Sequence, residues 1–198
     1  MTSEGYIKYQ PNWHKVAFDV DENILAEMNR VRAMLKENNW LGVLPDGIGF
    51  GNLSVRNGND AQFFISGSGT GHLNWLAPAD VALVTDVDIA KNQLSCQGLI
   101  KASSESMTHA VFYRFSRAVN AVIHIHDCDL WKKYFNVLPT SSPDAEYGTS
   151  KMAYSIENLL KKQSFNSGLL VMGGHEDGLI AYGESLEEAF GILRFHKA

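Results

Sequence analysis

The chain has 198 residues, of which 45% are hydrophobic and 20% charged, and its formal net charge is -5. This length and apolar content can build one sizeable core, which predicts a single domain over residues 1–198. A modest negative charge without any block of like charge argues against binding to nucleic acid or to an anionic membrane.

The cysteines and the terminal sequence indicate the compartment. Cys96 and Cys128 are too few and too isolated to form a disulfide framework. The first residues lack the basic and then apolar pattern of a signal peptide, and no apolar run approaches the roughly 20 residues that span a bilayer. We therefore expect a soluble, cytoplasmic protein.

Hydrophobic periodicity and turn residues predict strands and helices along the chain. Asp21 is a typical N-cap, and apolar residues repeat at helical spacing after it up to about residues 38–39. Residues 52–56 and 62–66 alternate and are joined by the turn 57–60, which predicts a hairpin. The later predicted strands are residues 81–87, 94–99, 118–125, 168–172 and 179–182, and the later predicted helices begin near Ser104, at Ser150 and at Ser185. Because hairpins come first and helices are interspersed, this order predicts a mixed sheet covered by helices.

Two histidines lie two residues apart in the segment Ala121–Asp127, which has strand character. Because successive strand side chains point to opposite faces, His124 and His126 share one face of the sheet. His175 follows another predicted strand, and Glu105 lies at the head of a predicted helix. Neutral imidazoles can hold a divalent cation and leave a coordination position open for chemistry. The His-x-His pair alone is equally consistent with polar residues on a solvated face, so the metal interpretation depends on the third histidine.

A second group of polar residues favours an anion. Ser103 and Ser104 lie at the start of a predicted helix, where free backbone N–H groups and the helix dipole attract negative charge. Simple capping of the helix is the alternative. The glycine-rich turn 66–71 can close its backbone on a phosphate oxygen. It is not the dinucleotide fingerprint, because residues 73–78 follow it in place of a helix.

Taken together, these segments resemble the class II aldolase/adducin family in their order and spacing, from about Leu25 to Phe195. The resemblance implies an α/β fold of three αβα layers around a central mixed, largely antiparallel sheet. It also implies a zinc-dependent lyase of carbohydrate metabolism, which cleaves or forms a C–C bond in a small phosphorylated hydroxy-ketone through a zinc-stabilised enediolate. The motifs that carry it are Gly51-Asn52-x-Ser54, Ser66-Gly67, Ser103-Ser104-Glu105, His124-x-His126 and the late His175.

Carried over residue by residue, the resemblance makes His124, His126 and His175 the ligands of Zn²⁺ or another divalent transition metal, and Glu105 the catalytic acid/base. The residues that it implies for the substrate's phosphate are Asn52, Ser66, Gly67, Ser103 and Ser104. We further expect Arg56 or Lys101 to add charge at the edge of this pocket. The resemblance also implies a homotetramer with active sites at subunit interfaces. A tyrosine such as Tyr134 or Tyr147, or the C-terminal helix, would then approach the metal of a neighbouring subunit.

The sequence departs from the family's pattern after two of the histidines. Asp127 follows His126, Glu176 follows His175, and the stretch from His126 to Tyr147 is short. A sugar-phosphate epimerase, a dehydratase and a non-catalytic, adducin-like interaction module are therefore alternatives, as is an unphosphorylated substrate. His109, four residues after Glu105, is expected to pack along its helix or bond to a neighbour rather than bind the metal.

Overall fold

A computed structural model describes residues 6–58, 60–162 and 166–198. Two short 3₁₀ helices, Thr70–His72 and Pro78–Asp80, supplement the regular elements. The strands are β1 (Gln10–His14), β2 (Gly42–Val43), β3 (Gly49–Phe50), β4 (Asn52–Arg56), β5 (Phe63–Ser66), β6 (Val81–Asp88), β7 (Gln93–Gln97), β8 (Ala121–His126), β9 (Gly168–Val171) and β10 (Gly178–Gly183). The helices are α1 (Glu22–Glu37), α2 (Ser106–Phe115), α3 (Cys128–Tyr134), α4 (Ser150–Leu160) and α5 (Leu186–Lys197).

Within the described ranges, eight strands form one sheet in the order β1-β7-β6-β5-β4-β8-β10-β9. Neighbours in this sheet are antiparallel except β1 and β7, which are parallel. One core contains residues of α2 and α4, and the other contains residues of α1 and α5. The predicted three-layer αβα architecture with a mixed, largely antiparallel sheet is confirmed.

The polar and apolar side chains of the second half of β8 lie on opposite faces of the sheet, as its alternating sequence predicts. Ile123 and Ile125 are fully buried in the core beneath α1 and α5. His124 and His126 therefore lie on the opposite face, toward α2. In the neighbouring strand β4, Asn52 is directly opposite His124. The sheet register thus brings one predicted metal ligand beside one predicted phosphate contact.

Two predicted boundaries near the site are wrong by two or three residues. Helix α2 begins at Ser106, not near Ser104, because the carbonyl of Ser103 accepts from both the backbone N–H and the hydroxyl of Ser106. These bonds close a turn before the helix and leave Glu105 as its N-cap residue. Strand β8 begins at Ala121, since Val119 N–H bonds to the carbonyl of Ser116 in a preceding turn.

Several elements are absent from the sequence-based prediction. Strand β1 is mostly exposed at the sheet edge and contains Pro11, so it shows no apolar alternation. The pair β2–β3 has only two residues in each strand. Helix α3 has only seven residues and begins where the Asp127 side chain accepts from Leu130 N–H. None of the helices in the described ranges has the length and apolar character needed to cross a membrane.

Candidate active site

Three imidazoles converge at the C-terminal end of β8. His124 and His126 project from the strand, and His175 lies in the turn between β9 and β10. One ring nitrogen from each lies within 4.8 Å of the others. The ring centroids are 5.0 Å apart for His124–His126, 5.0 Å for His124–His175 and 4.7 Å for His126–His175. The structure therefore brings all three predicted ligands together.

The backbone around His124 defines which of its ring nitrogens can bind a cation. Its Nδ1 lies 3.1 Å from the carbonyl oxygen of Leu179. A carbonyl only accepts, so Nδ1 carries the proton and Nε2 carries the lone pair. Three neutral imidazoles suit a borderline transition cation such as zinc in a site with an open position. The donor set and its convergence fit a divalent metal.

Glu105 is buried beside these histidines. Its Oε1 lies 3.3 Å from Nδ1 of His175, and its Oε2 accepts from the Thr108 hydroxyl at 2.8 Å. Burial acts to raise the pKa of Glu105, but hydrogen bonding to His175 and Thr108 and the attraction of His175 and His124 in their protonated, metal-free form outweigh it, so the pKa is lowered. The carboxylate is thus ionised at neutral pH and able to accept a proton.

A polar concavity adjoins the histidines, between the start of β4, the glycine-rich turn and the turn before α2. Four of the five predicted phosphate contacts line it, as do Ser68 and Thr70. At Gly71, an added Cβ would lie 2.1 Å from the carbonyl oxygen of Gly42, so a side chain there would force the turn apart. The four predicted residues in the lining are Asn52, Gly67, Ser103 and Ser104.

Two predicted contributors to this concavity lie elsewhere. Ser66 is buried, and its hydroxyl accepts from Leu53 N–H at 3.4 Å, outside the lining. Arg56 or Lys101 was expected to add charge at the edge, and Arg56 does not, because it lies at the far end of β4 from Asn52. Its guanidinium is buried there and donates to backbone carbonyls, including those of Val119 and Tyr113.

The groups that hold the glycine-rich turn were not identified from the sequence. Arg32 on α1 is fully buried and donates to the carbonyl oxygens of Thr70 and Leu73. Lys36, one turn later, also donates to Leu73 O, at 3.0 Å. The sequence does carry a sign of this role. Arg32 follows Met28 by four residues, so a charged side chain lies on the apolar face of α1.

Lys8 was not identified from the sequence, and Tyr147 was expected only as an alternative to Tyr134 at a neighbouring subunit. The Tyr147 ring stacks on His175 of its own chain, with centroids 4.7 Å apart and planes at 28°. Lys8 Nζ lies 3.6 Å from the centre of the Tyr147 ring. Tyr147 is buried in this contact, so it is not placed to reach a neighbouring subunit as expected. Tyr134, at the end of α3, donates to the carbonyl of His196.

His109 bonds to a neighbour, as expected. Its Nδ1 lies 2.7 Å from the hydroxyl of Ser54, which is 2.6 Å from the Tyr113 hydroxyl. These groups are fully or almost fully buried and connect α2 to β4. Burial lowers the pKa of His109 to about 3, so its imidazole is neutral.

Comparisons with known proteins agree with this architecture. The model of the class II aldolase and adducin N-terminal domain matches residues 43–131. An L-fuculose phosphate aldolase of Methanococcus maripaludis (strain C7) is 28% identical over 149 residues, which cover 71% of this chain and 76% of that protein. Over the residues that these matches cover, the chain is similar to the class II aldolase/adducin family.

Solved structures share the fold at lower sequence identity. An L-fuculose 1-phosphate aldolase superposes with a TM-score of 0.66 at 21% identity, over 88% of this chain and 82% of its own. A sugar-phosphate aldolase from Thermotoga maritima superposes with a TM-score of 0.63 at 13% identity, over 88% of this chain and 90% of its own. At these identities the superpositions show the common fold.

Proposed function

We propose that this protein is a metal-dependent lyase of the class II aldolase type, which cleaves or forms a C–C bond in a small phosphorylated hydroxy-ketone of carbohydrate metabolism. The observation that carries the proposal is the shared location of three groups. Convergent imidazoles, the ionised carboxylate of Glu105 and the polar concavity at Asn52 adjoin one another. The named relatives, which act on fuculose phosphate or sugar phosphates, support the same substrate class.

His124, His126 and His175 would hold the metal, for which zinc suits the donor set. When bound, a divalent cation supplies positive charge that polarises a substrate carbonyl. Glu105 removes or returns the proton at the carbon next to that carbonyl, because its carboxylate is ionised and held in place by Thr108.

The concavity binds the phosphate with neutral donors. Hydroxyls of Ser103 and Ser104, the amide of Asn52 and backbone N–H groups of the glycine-rich turn supply hydrogen bonds without a basic field. Directly opposed residues on neighbouring strands have Cβ atoms about 4.5–5.5 Å apart. Since Asn52 is opposite His124, the phosphate and the reacting carbon must be separated by few bonds. The geometry therefore favours a short substrate.

A dehydratase that eliminates water is the second candidate. Cleavage of a C–C bond also requires an acid at the aldehyde oxygen. The phenol groups of the two candidate tyrosines have other partners, since Tyr134 donates to His196 O and Tyr147 accepts from Tyr6 N–H. An epimerase would use the same first proton transfer. A non-catalytic adducin-like module would have no need of Glu105 and three convergent histidines.

We propose a homotetramer in which the missing acid comes from a neighbouring subunit. Large apolar side chains are exposed beside the glycine-rich turn, where Trp75 is 63% and Val43 40% exposed. Static light scattering at micromolar concentration should find a tetramer. A monomer would exclude a shared site and favour the elimination.

The test is a screen of phosphorylated ketoses and their unphosphorylated counterparts with the metal-loaded protein. Aldehyde release that requires the phosphate and disappears with a chelator is the expected result. Loss of water from the substrate, detected by mass spectrometry, would select the dehydratase, and inversion without a change in mass would select the epimerase. The absence of turnover on every phosphorylated substrate, with metal bound, would contradict the proposed chemistry.

A further inference from the structure

We infer that Tyr147 is a positioning residue for His175, and that the N-terminal segment, residues 6–9, holds Tyr147 in place. This inference rests on the metal site of the proposed function. It adds two residues that do not bind the metal, Tyr147 and Lys8, and assigns to the N-terminal segment a role in determining metal affinity.

Of the three imidazoles, His175 has the weakest support from regular structure. His124 and His126 belong to β8, whose backbone pairs with a strand on each side. The His124 ring is also oriented by the carbonyl of Leu179. His175 instead follows Gly173 and Gly174 in a turn, so its ring orientation depends on side chains packed around it.

Tyr147 is the aromatic side chain stacked on His175. Their ring centroids are 4.7 Å apart with an interplanar angle of 28°, and Tyr147 is only 3% exposed. The next residue, Gly148, has φ of +67°, and a Cβ there would lie 2.9 Å from the carbonyl oxygen of Ser104. The turn that carries Tyr147 therefore packs directly against the turn before Glu105. A stacked ring in this position limits rotation of the imidazole.

The N-terminal segment contacts Tyr147 at two points. Tyr6 N–H donates to the Tyr147 hydroxyl at 3.2 Å. Lys8 Nζ lies 3.6 Å from the centre of the ring and 2.5 Å from Oε1 of Glu146. A cation at this distance from a ring centre is attracted by its π electrons.

The same segment also contacts the chain next to the polar concavity. The Tyr9 hydroxyl donates to the carbonyl of Ala102 at 2.8 Å, immediately before Ser103. Continuous contacts therefore run from the N-terminal segment through Tyr147 to His175, and from His175 to Glu105. Loss of the Tyr147 ring should free the His175 imidazole and weaken metal binding, because side chains that orient a metal ligand typically contribute about 10- to 100-fold to affinity.

The test measures Co²⁺ affinity by competition with a chelator, together with the visible absorption spectrum of the bound Co²⁺. Tyr147→Leu should weaken binding about tenfold or more, and should change the ligand-field bands. Lys8→Met removes the cation above the ring, together with its ion pair to Glu146, and should weaken binding about threefold. Tyr154→Leu is the matched control, since Tyr154 is an exposed tyrosine on α4 and should bind Co²⁺ like the parent.

The outcomes separate this inference from the metal site itself. Parent-like Co²⁺ affinity and spectrum in folded Tyr147→Leu would overturn the role of Tyr147, and lowered thermal stability alone would indicate ordinary packing. If Tyr147→Leu does not fold, Lys8→Met decides the question, and parent-like affinity in that variant overturns the inference. Equal Co²⁺ affinity of the parent and His126→Ala would instead show that the histidines are not the metal site, and the proposed function would fail.

Discussion

The carboxylate of Glu105 and the imidazole of His175 are in contact, with Oε1 3.3 Å from Nδ1. The two residues are 70 positions apart in the sequence and come from different elements, the turn before α2 and the turn after β9. A group that approaches the histidine cluster therefore also approaches the ionised carboxylate. In the proposed reaction, this juxtaposition would let carbonyl polarisation and proton transfer occur at neighbouring atoms of one substrate.

Replacement of Glu105 by glutamine should abolish proton transfer while leaving the metal site intact. Glutamine keeps the shape and can still accept from Thr108, but it cannot take a proton, so kcat should fall by about 10²- to 10⁴-fold. Metal content, measured by plasma mass spectrometry, should remain at the parent level. Glu157→Gln on α4, where the carboxylate pairs with Lys161, is the control. Parent-like kcat in Glu105→Gln would remove the acid/base role.

The lining of the concavity can be tested with a pair of serine variants. Ser103→Ala removes a hydroxyl from the lining and should weaken inorganic phosphate binding about fivefold to tenfold. Ser66→Ala should have little effect on that affinity, because its hydroxyl lies outside the lining. Isothermal titration with phosphate measures both. The reverse ranking would restore Ser66 as a phosphate contact and contradict the pocket described above.

Arg32 should stabilise the fold and the phosphate pocket together. Burial lowers the pKa of Arg32 to about 10, so the guanidinium remains charged at neutral pH. Arg32→Met removes the guanidinium that donates to the carbonyls of Thr70 and Leu73, which keep only Leu73 N–H and Lys36 as donors, and should cost about 2–4 kcal/mol of unfolding free energy. Arg30→Met on the same helix removes only an exposed pair with Glu187 and should cost about 0–1 kcal/mol.

Denaturant unfolding at pH 7 measures the unfolding free energies of Arg32→Met and Arg30→Met. Titration of the two folded variants with phosphate measures their phosphate affinities. Arg32→Met should also bind phosphate more weakly than Arg30→Met, since Thr70 belongs to the lining. Equal stability of the two variants would contradict the structural role of Arg32.

His109 should make the protein less stable in mild acid. Its folded pKa is lowered to about 3 by burial, below the value of about 6.5 in an unfolded chain. Between these values the unfolded state binds more protons, so stability falls as pH decreases through about 6.5. From pH 7 to pH 5 this group alone should remove about 2 kcal/mol.

His109→Asn is the matched variant, because an amide can still bond to the Ser54 hydroxyl but does not titrate. Unfolding free energies at pH 7 and pH 5 should therefore differ by about 2 kcal/mol less in the variant than in the parent. An identical pH dependence in the two proteins would show that His109 is not the buried neutral group described here.

Much of the fold could be predicted because its elements carry strong local patterns. The hairpin of β4 and β5, the two faces of β8 and the capped start of α1 at Asp21 all follow from alternation, turn residues and helical spacing. Strand β1 could not be predicted in this way. It is an exposed edge strand whose position depends on pairing with β7, more than 80 residues later in the chain, as in the pair Gln10–Gln93.

The residues of the candidate site likewise fall into a group that local sequence patterns predict and a group that they do not. Residues that lie on regular elements or in short motifs, such as His124 and Ser103, were identified from the sequence, and their mutual proximity in the structure agrees with that interpretation. Lys8, Arg32 and Tyr147 were missed or misplaced because their roles depend on tertiary contacts across the fold. A charge on an apolar helix face was the one available sign, at Arg32.

The most direct test of the account is the metal content of the purified protein and of its His175→Ala variant after incubation with Zn²⁺ and removal of unbound ions. The parent should retain about one Zn²⁺ per chain, as expected for a site with three imidazole ligands. The variant should retain far less, and dialysis against a chelator should empty the parent. Equal and negligible metal in the two proteins would contradict the central claim that these three histidines form a metal site.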